Sequence, residues 1–229
     1  MSNKISNRKI LIRFALFPLF LGALLFGPAN TLNWIAAWIY IIIYLGFGVI
    51  LVTWMRKNNP GPLKERMAIL KSSAKGWDKI IIFLATMLFI TLFFIIGFDT
   101  GRYHWSCAPI ILRAIGFISI ISSFILTFLV MKENTYLSRI VEIQKERGHS
   151  VITTGPYKYV RHPMYVGVII MFFFTPLALG SIYGLIPALL LIGLIVIRTY
   201  KEDKMLHREL QGYREYAEKT PYRLLPGIW

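Results

Sequence analysis

Between Phe14 and Met55 the chain carries no Asp, Glu, Lys or Arg. So long an apolar run cannot stay in water, and it is too long for one crossing, since about 20 helical residues traverse a hydrocarbon core. The segment Gly27-Pro28-Ala29-Asn30-Thr31 is the natural break, because Gly and Pro interrupt helices and Asn or Thr can cap the next one. Two spans follow, near 11–28 and 33–55, with Trp34 and Trp38 placed to anchor the second at an interface. Lys4, Arg8, Lys9 and Arg13 precede the first run like the start of a signal peptide. No small-residue cleavage site comes after them and a second run begins at once, so the first span is read as retained.

The same reading places a third span at Ile80–Phe98 and a fourth at Ala108–Met131. Met164–Leu179 and Ile182–Ile197 are shorter, and at 1.5 Å per residue each reaches only about 24 Å. With Gly180-Ser181 between them, they predict a short helical hairpin. The expected fold is all-α and polytopic, with about six transmembrane helices. Residues 1–131 form a four-span bundle, and residues 132–229 hold the loop, the hairpin and a C-terminal amphipathic helix. A composition of 56% hydrophobic and 16% charged residues fits a lipid-embedded chain.

The net charge of +15 raises nucleic acid as a partner, but the basic residues lie in short loops between apolar runs. That distribution suits anionic lipid headgroups and argues against nucleic acid. In the alternating topology, 24 of the 26 Lys and Arg residues fall on one side, the exceptions being Arg102 and Arg113. The positive-inside rule makes that side, and with it both termini, cytosolic. In a prokaryotic cell the membrane is then the inner one. Arg113 lies near the outer end of its span, where a long side chain can snorkel to water. Cys107 is the single cysteine, so no intramolecular disulfide or multi-cysteine metal site is available. Oligomeric state is not legible.

Two polar segments interrupt this pattern, Gln144–Tyr165 and Arg198–Leu206. In the first, Gly155-Pro156-Tyr157 turns the chain, and Arg161-His162 precede Pro163 at the first turn of the fifth span. A helix start with free N–H groups favours an anionic or polar ligand group. The plainer reading is a basic stop beside a span, with Tyr157, Tyr159 and Tyr165 as interface anchors. In the second segment Arg198 and Glu202 are four apart on one helix face, which as a purely structural pair needs no ligand. Both segments sit at the same depth, so they can face one polar pocket. Leu206, Leu210, Tyr213 and Ala217 then draw an apolar stripe on a helix continuing to Pro221. Gly46-Phe47-Gly48 lies inside a span and is no dinucleotide fingerprint. His104, His149, His162 and His207 are not spaced for a metal.

The order His149-x-Val151, Gly155-x-Tyr157, Arg161-His162-Pro163-x-Tyr165, then Arg198-x-x-x-Glu202-Asp203-x-x-Leu206, resembles the isoprenylcysteine carboxyl methyltransferase family. That family belongs to a wider group with the phospholipid N-methyltransferases. A Tyr213-x-x-Tyr216 pair and Thr220-Pro221 complete the pattern, which covers roughly the last 90 residues. The segment at 59–66 and the closing Leu-Leu-Pro-Gly-Ile-Trp look like bacterial or archaeal members. The resemblance implies S-adenosylmethionine as methyl donor. By position its contacts are Gln144, His149, Ser150, Val151, Ile152, Tyr157, His162, Pro163, Met164, Tyr165 and Glu202, some through backbone groups. It gives Arg198 and Glu202 the catalytic positions, with Arg198 on the lipophilic or lipidated acceptor. The chain departs from the pattern in a shorter Gln144-to-His149 spacing than in eukaryotic members and in Asp203, where a second Glu is usual. The acceptor stays open between a prenylcysteine-like carboxylate, a phospholipid amine and a thiol. Sterol reductases share a related C-terminal fold, which keeps a nicotinamide-dependent reductase as an alternative. A small transporter is the third, although the spans carry no mid-membrane charge pairs and show no internal repeat.

Overall fold

The apolar runs fold into helices whose ends coincide with the Gly, Pro and Asn breaks. The computed structural model describes residues 7–58, 75–138 and 140–229, without the side chains of 7–15 and Lys145. Lys4 and the 59–66 segment lie outside the described residues. Among the described residues the structure is all-helical: α1 (Asn7–Ala29), α2 (Ile35–Asn58), α3 (Gly76–Ile96), α4 (Ile110–Glu133), α5 (Pro163–Leu179), α6 (Leu185–Glu209) and α7 (Tyr213–Lys219). Short 3₁₀ turns at Lys145–Arg147 and Gly155–Lys158 punctuate the long α4–α5 connection. Three helices, α2, α3 with its extension to Tyr103, and α4, are long and apolar enough to cross a bilayer. Large side chains such as Leu19, Ile42, Phe83, Ile110 and Ile118 are exposed around the bundle, as lipid contact requires. This is a membrane protein.

The first break works as its residues dictate. Asn30 takes φ +53°, a left-handed conformation that Asn tolerates better than branched residues, and the Trp38 indole N–H donates to the Leu32 carbonyl at 2.9 Å. At the far end of α3 the turns widen into a π-helical segment, Gly97–Tyr103. There Asp99, fully buried, accepts from the Ser106 N–H at 2.7 Å, the Ser106 hydroxyl at 2.6 Å and the Ser181 hydroxyl at 2.5 Å. Ser181 belongs to the α5–α6 turn, so one carboxylate ties the π segment to the hairpin. Gly180 caps α5 at φ +94°, and a Cβ there would fall 2.9 Å from the Arg113 guanidinium carbon. Arg113 folds back at this hairpin end, donating from Nε to the Ala108 carbonyl at 2.9 Å.

α5 packs along α4 through small residues. A Cβ on Gly116 would lie 2.6 Å from the Ala178 backbone nitrogen, and one on Gly167 would lie 3.0 Å from Thr127 Oγ1. Within lipid this close approach is how helices gain contact, because lipid tails are as apolar as the side chains. α2 locks onto α5 through Tyr40, whose hydroxyl pairs with Thr175 at 3.1 Å, and Tyr44, which donates to Met171 sulfur at 2.7 Å. The main core joins Leu21, Leu25, Phe93, Ile96, Ile120 and Leu191. A second, small core at the opposite end, the loop end, gathers Val130, Tyr157, Leu210, Tyr213 and Tyr216.

One expectation needs correcting. The amphipathic helix does not run on to Pro221. Helix α6 continues unbroken from the hairpin through Arg198 to Glu209, and Gly212 at φ +79° then turns the chain into a separate α7. The break folds Tyr213 and Tyr216 back onto the loop core, a burial that a straight helix would forgo.

Substituting Gly116 with Val forces α4 from α5. Overpacking of this kind costs about 1–3 kcal/mol, so the variant melts at a lower temperature in detergent than wild type or a Gly22→Ala control, whose added Cβ meets nothing closer than 3.8 Å.

Candidate active site

The α4–α5 connection is held by its own polar side chains. Asn134, just past α4, accepts the Tyr136 N–H at 2.9 Å and donates to the Tyr157 hydroxyl at 2.7 Å. Tyr136 stacks on His149 with ring centroids 4.5 Å apart. The Gln144 amide donates to the Tyr136 carbonyl at 2.8 Å and accepts from Arg147 at 2.5 Å. Gly155 needs φ +58°, and a side chain there would strike Glu133. The Tyr216 hydroxyl donates to the Tyr157 carbonyl at 2.7 Å, so α7 pins the turn from below. Burial first of all lowers the His149 pKa, with the charge of Arg147 next, which leaves the imidazole neutral at pH 7.

At the entry to α5, Arg161 and His162 find the partner that their depth demands. Asp203 of α6, 1% exposed, accepts from Arg161 Nε at 2.8 Å and Nη2 at 3.1 Å. It also accepts from Arg223 Nε at 2.8 Å and the Tyr213 hydroxyl at 2.9 Å. His162 Nε2 lies 3.1 Å from the same carboxylate. The second amino group of Arg161 reaches the carbonyls of Thr220 at 2.8 Å and Pro221 at 2.7 Å. Backbone bonds from Arg161 to Tyr222 at 2.9 Å and from His162 to Arg223 at 3.0 Å dock the C-terminal tail on this entry. Burial alone pushes the Asp203 carboxyl up, but its bonds to His162, Arg161 and Arg223 outweigh that and hold it well below the usual range. Burial, with Asp203 next, pushes the Tyr213 phenol far up, so it remains a donor.

At the adjacent position, Glu202 accepts from the Tyr165 hydroxyl at 2.5 Å. Arg198 does not take the expected structural partner four residues on. Its Nε and Nη2 meet Asp78 of α3 at 2.8 and 3.2 Å, with Tyr165 beneath at 5.7 Å from ring centroid to guanidinium.

These groups surround one cavity of about 520 Å³. His149, Ser150, Val151, Ile152 and Tyr157 line it from the connection, and His162, Met164 and Tyr165 from the α5 entry. Arg198 and Glu202 line it from α6. The two sequence segments thus meet at a single space, as their shared depth implies. Gln144 and Pro163 are not among its lining residues; the Gln144 side chain braces the loop instead. Sequence reasoning missed Asp78, the anchoring part of Asp203, and an apolar wall of Phe47, Leu51, Phe124, Val168 and Phe172 that carries the cavity down into the bundle. Asp78 had one visible signal: a carboxylate in the first turn of an otherwise apolar helix.

Residues 114–208 match the family model for the isoprenylcysteine carboxyl methyltransferase (ICMT) family. The chain is thus similar to this family over those residues. It is also 28% identical over 154 residues to the protein-S-isoprenylcysteine O-methyltransferase of Schizosaccharomyces pombe, a match covering 66% of this chain. The chain spans only 60% of that relative's length. The matched segment runs from α4 through α6, and so includes the whole connection and Asp203. Tyr213 and Arg223, which complete the shell of Asp203, lie beyond it.

Replacing Asp203 with Asn strands buried cations, and breaking such a pair costs about 3–5 kcal/mol. The sign of the pH effect follows from the depressed folded-state pKa. The stabilisation is full above the ordinary carboxyl value of 3.8 and is lost as pH falls below it. In thermal melts, wild type should therefore exceed Asp203→Asn by most at neutral pH, with the gap closing in acid.

Proposed function

We propose that this protein is an integral-membrane methyltransferase that uses S-adenosylmethionine to methylate a carboxylate on a lipophilic acceptor such as a prenylcysteine-like chain end. The observation that carries the reading is the cavity itself. It is polar where Glu202, His149 and Ser150 face it and apolar where Phe47, Leu51, Phe124 and Phe172 face it, with Arg198 also in its wall.

The polar part suits the donor. Glu202 offers an anion for an ammonium or sulfonium, and Tyr157, Tyr213 and Tyr216 offer aromatic surface. Neutral His149, held flat against Tyr136, offers ring surface without repelling a cation. Val151 and Ile152 offer backbone groups. When bound, S-adenosylmethionine supplies an electrophilic methyl carbon on a sulfonium. The chain's own task is positioning, and holding reacting atoms about 3–3.5 Å apart is a large part of such catalysis. Arg198 orients the acceptor carboxylate with a fork that matches it. The apolar wall takes the lipid and keeps water out, so opposite charges meet unshielded.

A carboxylate acceptor needs no general base, whereas an amine or thiol must lose a proton. Of the lining side chains able to take one, His162 is engaged with Asp203 at 3.1 Å and Glu202 with Tyr165 at 2.5 Å, while neutral His149 stacks on Tyr136 at the donor end. This favours the carboxylate reading over the amine and the thiol. Six crossings with both termini cytosolic complete the proposal, supported by 24 of 26 basic residues on one side. Helices α2 to α4 then contribute the N-terminal part of the membrane wall of the site, and residues 132–229 carry its chemistry.

Binding of radiolabelled S-adenosylmethionine to purified protein tests this. Wild type should bind, Glu202→Gln and His149→Ala should each weaken binding at least tenfold, and Arg198→Lys should spare it while raising the acceptor KM. Absence of donor binding by wild type, or preference for a nicotinamide dinucleotide, overturns the proposal.

A further inference from the structure

Asp78 is 0% exposed in the first turn of α3, and it lies 120 residues from Arg198 in sequence. Among the described residues its carboxylate accepts three bonds. Arg198 Nε donates to Oδ1 at 2.8 Å, and Nη2 donates to Oδ2 at 3.2 Å. The Val141 N–H donates to Oδ2 at 2.9 Å. Arg198 and Val141 both line the cavity, and Asp78 does not. The carboxylate thus sits behind the wall and touches two pieces of it, one on α6 and one on the connection after α4.

The geometry is that of a brace. A guanidinium on a flexible stem samples many orientations, and ordering it on substrate binding costs entropy. Two parallel N–H···O bonds to a buried carboxylate fix the plane of the fork before any ligand arrives. The aromatic face of Tyr165, 5.7 Å away, limits it from the other side. The same carboxylate supplies the counter-charge that a guanidinium at the lipid boundary requires.

We propose that Asp78 is a positioning residue for the methyl acceptor, setting the Arg198 guanidinium and the 140–142 wall at the angle and depth where the acceptor carboxylate docks. This rests on the methyltransferase reading above and assigns the acceptor half of that site to α3, a helix outside the matched family segment. Asp78 acts through Arg198, and its hydrogen bonds among the described residues go to Arg198 and Val141, not to Glu202 or His149 at the donor end.

The test separates acceptor from donor. Radiolabelled S-adenosylmethionine binding and methyl transfer to the S-farnesyl derivative of N-acetylcysteine are measured on wild type, Asp78→Asn, Asp78→Glu, Arg198→Ala and the Asp78→Asn/Arg198→Ala pair. Asp78→Asn should raise the acceptor KM at least tenfold while the donor Kd stays within twofold. Asp78→Glu keeps the charge and with it the fold, and should raise the acceptor KM less, by a few-fold, again with donor affinity intact. In the Arg198→Ala background the Asn change should add less than twofold. The assignment is overturned by a wild-type acceptor KM in either folded single variant, by donor and acceptor constants worsening together, or by multiplicative effects in the pair. A wild type that binds donor without methylating the probe also overturns it, and one that binds no donor removes the methyltransferase reading itself.

Discussion

The structure depends on the carboxylate of Asp203, on which Arg161, His162 and Arg223 converge at the loop end of an apolar bundle. Guanidinium groups brought together out of water repel one another, and each of these polar groups needs a partner that water no longer provides. One buried anion with a full set of donors meets that need, and the Tyr213 hydroxyl completes the set. Because Asp203 sits on α6 and these partners come from the α5 entry, α7 and the tail, the bond set also decides where those four pieces sit relative to one another.

Asp203 has two counterparts. Asp78 joins α3 to α6 and to Val141, and Asp99 joins the π-helical end of α3 to Ser106 and to the α5–α6 turn through Ser181. All three carboxylates are buried to within 1% exposure, and each lies near a helix end or in an irregular stretch. Lipid removes most of the hydrophobic drive for helix association, so close packing at small residues and a few well-paired polar groups must specify the arrangement. Gly116 and Gly167 supply the first between α4 and α5, and the carboxylates supply the second at the two ends.

The cavity follows from this division of labour. Its polar wall is a connection too irregular to be stable without Asn134, Tyr136, Gln144 and Arg147 bonding one another, and its apolar wall is ordinary transmembrane helix. A reaction between a charged donor and a lipophilic acceptor needs both surfaces at one point. Arg198 stands in that shared wall, because α6 continues as one helix past the apolar bundle into the polar layer.

Much of this was legible beforehand. Helix positions, the tight α5–α6 turn and the meeting of the His162 and Arg198 segments follow from hydropathy, Gly and Pro placement and helix rise, all of which are local and one-dimensional. Ten of the residues that the resemblance marked line the cavity, whereas Gln144 and Pro163 do not, and Gln144 braces the loop instead. The break at Gly212 was missed because the Leu206–Ala217 stripe reads as one helix until the burial of Tyr213 and Tyr216 against the loop core is weighed. Asp78 was missed for a related reason, since pairing across 120 residues leaves no periodic trace. Sequence alone determined which segments are helices and which must stay wet, because those depend on each residue's own transfer energy. Only the tertiary structure decided which buried charges meet, because a desolvated ion takes its partner from whatever the packing brings within about 3 Å.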